Sequence, residues 1–268
     1  MISKSPDAPI GVFDSGLGGL TVLKSCLEAM PNERFVYLGD TARTPYGSKA
    51  HATICRYALD CTEFLASHDV KFIVIACNTV SAHALPEIHA RYDCPIVSTV
   101  EPAVQAALKA TKNHHVGVIG TNATINSGVY QRALQEADPS VQVTAKSCPL
   151  FVPLVEEGMV EGEITDKVVE LYLAEFQESK VDSLILGCTH YPLLSAAIQS
   201  YLGSEVSLVT CSDAMAAVVR DLLKTHSLET TKPLFDVAYF ATDAADRFDS
   251  LATSLVGLKN VRSKHIDL

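Results

Sequence analysis

Short, uninterrupted apolar runs recur along this chain, and most are followed by a stretch whose apolar residues fall three and four apart. The runs are Ile10–Phe13, Phe35–Leu38, Phe72–Ala76, Ile96–Val97, Val116–Ile119, Val141–Ala145, Ser183–Leu186 and Val206–Val209. Most lack polar alternation, which is how strands covered on both faces of a parallel sheet read. Between them, Leu20–Met30, His51–Ser67, Thr79–Arg91, Asn126–Ala137, Thr165–Ser179 and Ser212–His226 carry the spacing of helices. A β-α-β-α order predicts an α/β protein built on doubly wound parallel sheets.

The second half of the sequence echoes the first. Gly11-Val-Phe-Asp-Ser15 corresponds to Gly117-Val-Ile-Gly-Thr121, a strand ending in a small hydroxyl residue. Phe72-Ile-Val-Ile-Ala-Cys77-Asn-Thr79 corresponds to Ser183-Leu-Ile-Leu-Gly-Cys188-Thr-His190. Two pseudo-symmetric α/β halves would each offer a cysteine at a strand's carboxyl end, the edge where open parallel sheets bind ligands. The expected site is therefore the cleft between them. A boundary is expected near Thr99–Ala103, where a proline follows a strand.

The chain has 268 residues and a formal net charge of −10, with no Lys/Arg cluster. An acidic surface repels phosphate backbones, so nucleic acid is not an expected partner. No apolar run reaches the roughly 18 residues of a membrane span, and the start lacks the pattern of a signal peptide. A cytoplasmic location is expected. The eight cysteines include no Cys-x-x-Cys pair and read as reduced thiols.

Cys26, Cys55 and Cys61 sit within helical apolar stripes and read as core filling, and Cys94 and Cys211 lie in no motif. Cys77 and Cys188 differ, because Asn78-Thr79 and Thr189-His190 follow them. A thiol at a strand end and helix start faces unpaired N–H groups, which would lower its pKa toward neutrality. Two such thiols in matched positions suit removal of a proton from one face of a carbon and its return to the other. That points to inversion of a stereocentre. A single-thiol hydrolase would use only one of them.

Gly16-Leu-Gly-Gly19 lacks the spacing of a nucleotide loop and reads as a tight strand-to-helix turn, with Asp14-Ser15 as its functional part. Cys188-Thr-His190 lacks a second ligand pair, so no metal is expected. Thr121 and Thr124 fit capping of the following helix as well as they fit binding. No lysine sits where a Schiff base is demanded, and pyridoxal chemistry is not expected.

Several segments together resemble the glutamate racemases of the aspartate/glutamate racemase family. They are Gly11–Leu20, Gly39-Asp-Thr-Ala-Arg43 with Pro45-Tyr-Gly47, Ala76-Cys-Asn-Thr79, Gly120–Ile125 with Ser127-Gly128, Cys148–Gly158 and Leu186-Gly-Cys-Thr-His-Tyr-Pro-Leu-Leu194. The resemblance implies cofactor-free racemisation of L-glutamate to D-glutamate for peptidoglycan. Cys77 would take the α-proton from D-glutamate and Cys188 from L-glutamate. Asp14, His190 and Glu156 would support the thiols, Glu156 by orienting His190. Asp14, Ser15, Tyr46, Gly47, Asn78, Thr79, Thr121, Thr124, Thr189 and His190 would bind substrate.

The resemblance also implies that residues 211–268 fold back onto residues 1–100, leaving 101–210 as the second domain. Members are often dimers, which leaves a homodimer open. Some carry an amino-terminal extension responsive to a peptidoglycan precursor. Nine residues precede the first strand here, so that regulation is not expected. Aspartate racemases share the architecture but usually carry Glu where His190 stands, which favours glutamate. A non-catalytic binding or inhibitor protein on the same fold is the alternative of a different class.

Overall fold

The computed structural model describes residues 5–233 and 235–268. Residues 1–4, part of the amino terminus read as leaderless, lie outside them. The first half runs β1 (Ile10–Asp14), α1 (Leu20–Ala29), β2 (Arg34–Gly39), α2 (His51–Ser67), β3 (Phe72–Ile75), α3 (Asn78–His83), α4 (Leu85–Arg91) and β4 (Ile96–Ser98). Then come α5 (Val100–Ala110), β5 (His115–Gly120), α6 (Asn122–Ser127), α7 (Val129–Ala137), β6 (Gln142–Ser147) and α8 (Phe151–Glu156). They are followed by α9 (Glu163–Glu178), β7 (Ser183–Gly187), α10 (Ser195–Leu202) and β8 (Ser207–Thr210). The chain closes with α11 (Cys211–Thr225), β9 (Asp236–Ala241), α12 (Ala245–Leu251) and β10 (Ser263–His265).

Every strand pairing is parallel. One sheet has the order β10-β9-β2-β1-β3-β4 and the other β6-β5-β7-β8. The second sheet thus repeats the β2-β1-β3-β4 order of the first. In it β5 stands where β1 stands and β7 where β3 stands, the pairing that the sequence echo predicts.

Side-chain alternation distributes these strands among three hydrophobic clusters. Ile10, Val12, Phe72 and Val74 point into one cluster that also receives Val116, Val118 and Ile185 from the second sheet. Phe13, Ile73 and Ile75 point the other way, against α2. Ile119, Leu184 and Leu186 point toward α8, α9 and α10. Both faces of each central strand are therefore buried, which is why β1, β3 and β7 read as unbroken apolar runs. The shared cluster is filled by α1, α5, α7 and α11 and joins the two halves.

Three expected features differ. Thr79–Arg91 is two helices, broken at Ala84 where Pro86 opens α4, since proline is tolerated in a first turn but not mid-helix. Asn126–Ala137 is also split, at Gly128, whose φ of +68° ends α6 in a left-handed cap. The proline expected to mark a boundary lies inside α5 instead. Pro102 occupies its first turn, where backbone N–H groups have no helical partner to lose.

Candidate active site

The strands place the predicted residues because each of the central ones ends at the same edge. Asp14 closes β1, Cys77 follows β3, Thr121 follows β5 and Cys188 follows β7. One void is lined by Ser15, Tyr46, Gly47, Cys77, Asn78, Thr79, Thr121, Cys188, Thr189 and His190. The two cysteines thus share a single cavity, contributed by opposite sheets. Thr44, Pro45 and Val152 also line it and were not singled out from the sequence. The signal for them was present, since Pro45 opens the Pro-Tyr-Gly turn and Val152 lies within Cys148–Gly158.

Asp14, Thr124 and Glu156 stand behind this wall. Asp14 is fully buried, and its Oδ2 accepts from the N–H of Gly16 at 3.2 Å and of Gly19 at 3.0 Å. Its Oδ1 accepts from the Thr189 hydroxyl at 3.3 Å, across the junction of the halves. Asp14 therefore holds the Gly16–Gly19 turn against the Cys188 loop. Burial raises its pKa, against the opposing pull of His190 and the turn's N–H groups. Gly18 sits so close to that loop that a Cβ there would fall 2.5 Å from Thr189 Oγ1 and 2.7 Å from His190 Nδ1.

The Cys77 thiol donates to Ser15 Oγ at 3.3 Å. Its environment overturns the expectation of a lowered pKa. Burial, with the Asp14 carboxylate nearby, pushes this thiol up to about 12. Desolvation outweighs the lowering effect of hydrogen bonding with Ser15 and with the Val80 backbone in α3. On the other side, Cys188 Sγ lies 3.8 Å from His190 Nδ1, and His190 Nε2 lies 2.7 Å from Glu156 Oε1. Burial works against a charged His190, but its hydrogen bonds and charge interactions with Cys188 and Glu156 prevail and hold its pKa well above the ordinary value. Glu156, assigned from the sequence to orient His190, thus lies in direct hydrogen-bond contact with it.

The hydroxyls of Thr79, Thr121 and Thr124 meet one another at 3.0, 3.0 and 3.3 Å, so three polar groups from both halves converge at one point. Thr121 also caps α6, accepting from the N–H of Thr124 at 3.3 Å. Asn78 is braced between the Tyr130 hydroxyl, which donates to its Oδ1, and Cys211 Sγ at 3.9 Å. The Tyr46 hydroxyl donates to Asp40 and is turned away from ligand duty. Asp40 also accepts from Arg43 Nε at 2.6 Å and from Thr242 at 2.8 Å. Arg43 reaches on to Asp60 at 2.7 Å and lies 4.2 Å above the Tyr57 ring. This buried network fixes the Pro45–Gly47 turn. The motif containing it was recognised from sequence, but not this role.

The void holds only ≈ 20 Å³, about the room one water molecule needs and far below the roughly 300–1,000 Å³ of ordinary ligand pockets. Residues lining it from the two sheets are already in contact, so the structure is a closed form. A void of this size does not admit an amino acid as it stands.

Residues 10–222 match the Asp/Glu/hydantoin racemase family. A protein named glutamate racemase from Aquifex aeolicus is 48% identical over 248 residues, covering 92% of this chain and 94% of the relative. The solved glutamate racemase isoform RacE1 from Bacillus anthracis superimposes with a TM-score of 0.94 at 32% identity, covering 97% and 98% of the two chains. The glutamate racemase from Francisella tularensis, solved in complex with D-glutamate, gives a TM-score of 0.91 at 36% identity, with 98% of each chain covered.

Proposed function

The chain belongs to the Asp/Glu/hydantoin racemase family, among its glutamate racemases, and from that premise we propose that it interconverts L- and D-glutamate without a cofactor, passing protons through Cys77 and Cys188. The observation that carries this reading is the placement of two thiols in one void, at equivalent strand ends of two sheets with the same strand order. A carbon held between them meets one sulfur on each face.

Starting from L-glutamate, the Cys188 sulfur takes the α-proton. The electron pair left at Cα delocalises into the α-carboxylate, and the Cys77 thiol protonates the opposite face. Cys77 then carries the charge and Cys188 the proton, and exchange with solvent resets the pair. Burial favours the thiol form of Cys77, the form that donates a proton in the L-to-D direction. The Thr79, Thr121 and Thr124 hydroxyls, now donating to one another, can turn to one substrate carboxylate when the halves part. Tyr46 contributes to binding through its backbone, since its hydroxyl is spent on Asp40.

Abstraction of a weakly acidic α-proton requires exclusion of water and fixed dipoles at the carboxylate, which the buried walls and the converging threonine hydroxyls would supply around a bound substrate. We take residues 1–100 with 211–268 as one domain and 101–210 as the other. The strand order supports this division, because β9 and β10 extend the first sheet beyond β2. The product serves peptidoglycan synthesis in the cytoplasm. Among the described residues no helix is long and apolar enough to cross a membrane.

The test is incubation of the purified protein with L-glutamate in D₂O without added cofactor, followed by circular dichroism and proton NMR. Decay to zero rotation with deuterium at Cα supports the two-thiol route. Repeating the run with aspartate tests the alternative substrate, and no exchange with either amino acid overturns the reading.

A further inference from the structure

At the other end of α3 from the void, three helices bring four metal-binding side chains together. His51 and Cys55 lie one turn apart on α2, His83 is the last residue of α3, and Glu87 lies in the first turn of α4. One donor atom each from His51, Cys55 and Glu87 fall within 4.8 Å of one another. His51 Nδ1 is 3.2 Å from His83 Nδ1, Cys55 Sγ is 3.7 Å from His51 Nε2, and Glu87 Oε1 is 3.9 Å from His51 Nε2. We propose that these four residues form a binding site for a divalent transition-metal ion of zinc type, separate from the racemisation site.

The geometry fits the ion. Zinc bonds of about 2.0–2.1 Å to nitrogen or oxygen and about 2.3 Å to sulfur give tetrahedral edges of roughly 3.3–3.6 Å. From His51 Nδ1, His83 Nδ1 stands at 3.2 Å and Cys55 Sγ at 3.8 Å, near those edges, while Glu87 Oε1 lies 3.9 Å from the other ring nitrogen and comes into the set by a turn of the ring. His51 is 60% exposed, so its ring can turn to aim one nitrogen at the centre and the ion can enter from solvent.

Two further observations point to a ligand. Glu87 Oε2 is buried and has no hydrogen-bond partner among the described residues, a costly state that coordination would relieve. His83 Nε2 lies 3.1 Å from the carbonyl of Ala123. A carbonyl can only accept, so Nε2 carries the proton and Nδ1 presents its lone pair toward His51. Metal-binding histidines are commonly oriented through such a bond on the other ring nitrogen.

Uptake replaces the Cys55 S–H bond with a sulfur–metal bond and releases the proton to solvent. None of the four residues lines the racemisation void, so turnover does not require the ion. Ala123 belongs to α6, so an ion bound to His83 would also steady a contact between the two halves.

The experiment uses tag-free, metal-stripped full-length protein titrated with Zn²⁺ by calorimetry and with Co²⁺ by absorption. One ion per chain is expected, with a thiolate-to-cobalt charge-transfer band and the d–d pattern of a tetrahedral site. Cys55→Ser should abolish the band. His51→Ala, a change at an exposed position that leaves the fold intact, should weaken binding at least about tenfold. Both variants should keep racemisation activity, and Zn²⁺ should raise the melting temperature of the unaltered protein only. A charge-transfer band that survives Cys55→Ser but disappears in Cys77→Ser or Cys188→Ser would place the metal on the void thiols and overturn the proposal. Absence of uptake by the unaltered protein would overturn it equally.

Discussion

Closure of the two halves can be blocked with a single methyl group. A Cβ added to Gly47 would lie 2.4 Å from Thr121 Cβ, 2.7 Å from its Cγ2 and 2.8 Å from its Oγ1. Carbon atoms pack at about 3.5–4.0 Å, so Gly47→Ala must hold the two loops apart by roughly 1 Å. The backbone accepts alanine there, since Gly47 is not among the glycines at positive φ. The added methyl thus acts on closure and not on either sheet. A displacement of about 1 Å between reacting groups costs on the order of 100-fold in rate, and kcat/KM for glutamate should fall by that factor.

The two enantiomers have equal free energies in water, so the loss must be the same from L- and from D-glutamate. Thermal unfolding should be unchanged. Thr121→Gly removes all three atoms that the methyl would strike, and in that background Gly47→Ala should cost only a few-fold. Steady-state polarimetry on the four proteins of this cycle provides the assay. Activity of Gly47→Ala within about threefold of the unaltered protein would refute the reasoning, as would an equal loss in both backgrounds.

Four further outcomes are expected. Cys77→Ser and Cys188→Ser should each abolish racemisation while leaving the far-ultraviolet dichroism unchanged, and full activity in either would sink the pairing. Glu156→Gln removes a charge-assisted bond worth about 1.5–3 kcal/mol, so the rate should drop roughly 10- to 150-fold. With that partner gone, burial lowers the His190 pKa, and the alkaline limb of the pH–rate profile should move to lower pH; an unmoved limb would contradict the role given to Glu156. Cys77 is raised from 9.0 to about 12, so its share of stability is intact below its unfolded value and is lost as pH rises toward 12. Denaturant melts between about pH 8 and pH 11 should show a shallower decline in Cys77→Ser than in the unaltered chain. Finally, Lys71 is buried with Glu33 at 2.6 Å, so Lys71→Met should destabilise by about 3–5 kcal/mol by leaving that carboxylate uncompensated; urea unfolding reads it, and a neutral effect would mean Glu33 finds water.

Periodicity revealed what is buried on both faces and little of what is held by its neighbours. The eight apolar runs all became strands, and the central ones, β1, β3 and β7, lie between two hydrophobic clusters. β10, Ser263-Lys-His265, has no apolar signal of its own and exists by pairing with β9. β9 has three buried residues, Tyr239, Phe240 and Ala241, at its carboxyl end only. The site was legible where a residue type is chemically unusual for its place, as with Cys77, Cys188 and the hydroxyls that follow them.

Long-range contacts were not legible. Nothing in the local sequence indicates that the Tyr46 hydroxyl turns to Asp40, or that Gly18 and Gly47 are required by the side chains they meet across the cleft. The thiol pKa failed for the same reason. A helix start is a local feature, whereas the burial that dominates at Cys77 is produced by residues from the whole chain.

The interior position of β2 has a consequence for how the protein is made. β2 pairs with β1 on one side and with β9 on the other, yet β9 is translated almost 200 residues later. At about 5–20 residues per second, a nascent chain carries β2 with an open edge for roughly 10–40 seconds, the interval in which all four strands of the second sheet are made. An open parallel edge is a template for wrong pairing, so chaperone dependence should concentrate in this interval. A ribosome stalled before residue 236 would hold a chain with both cysteines but without Thr242, whose hydroxyl steadies Asp40 and through it the Tyr46 turn. Residues made late thus decide when the first-made half becomes competent.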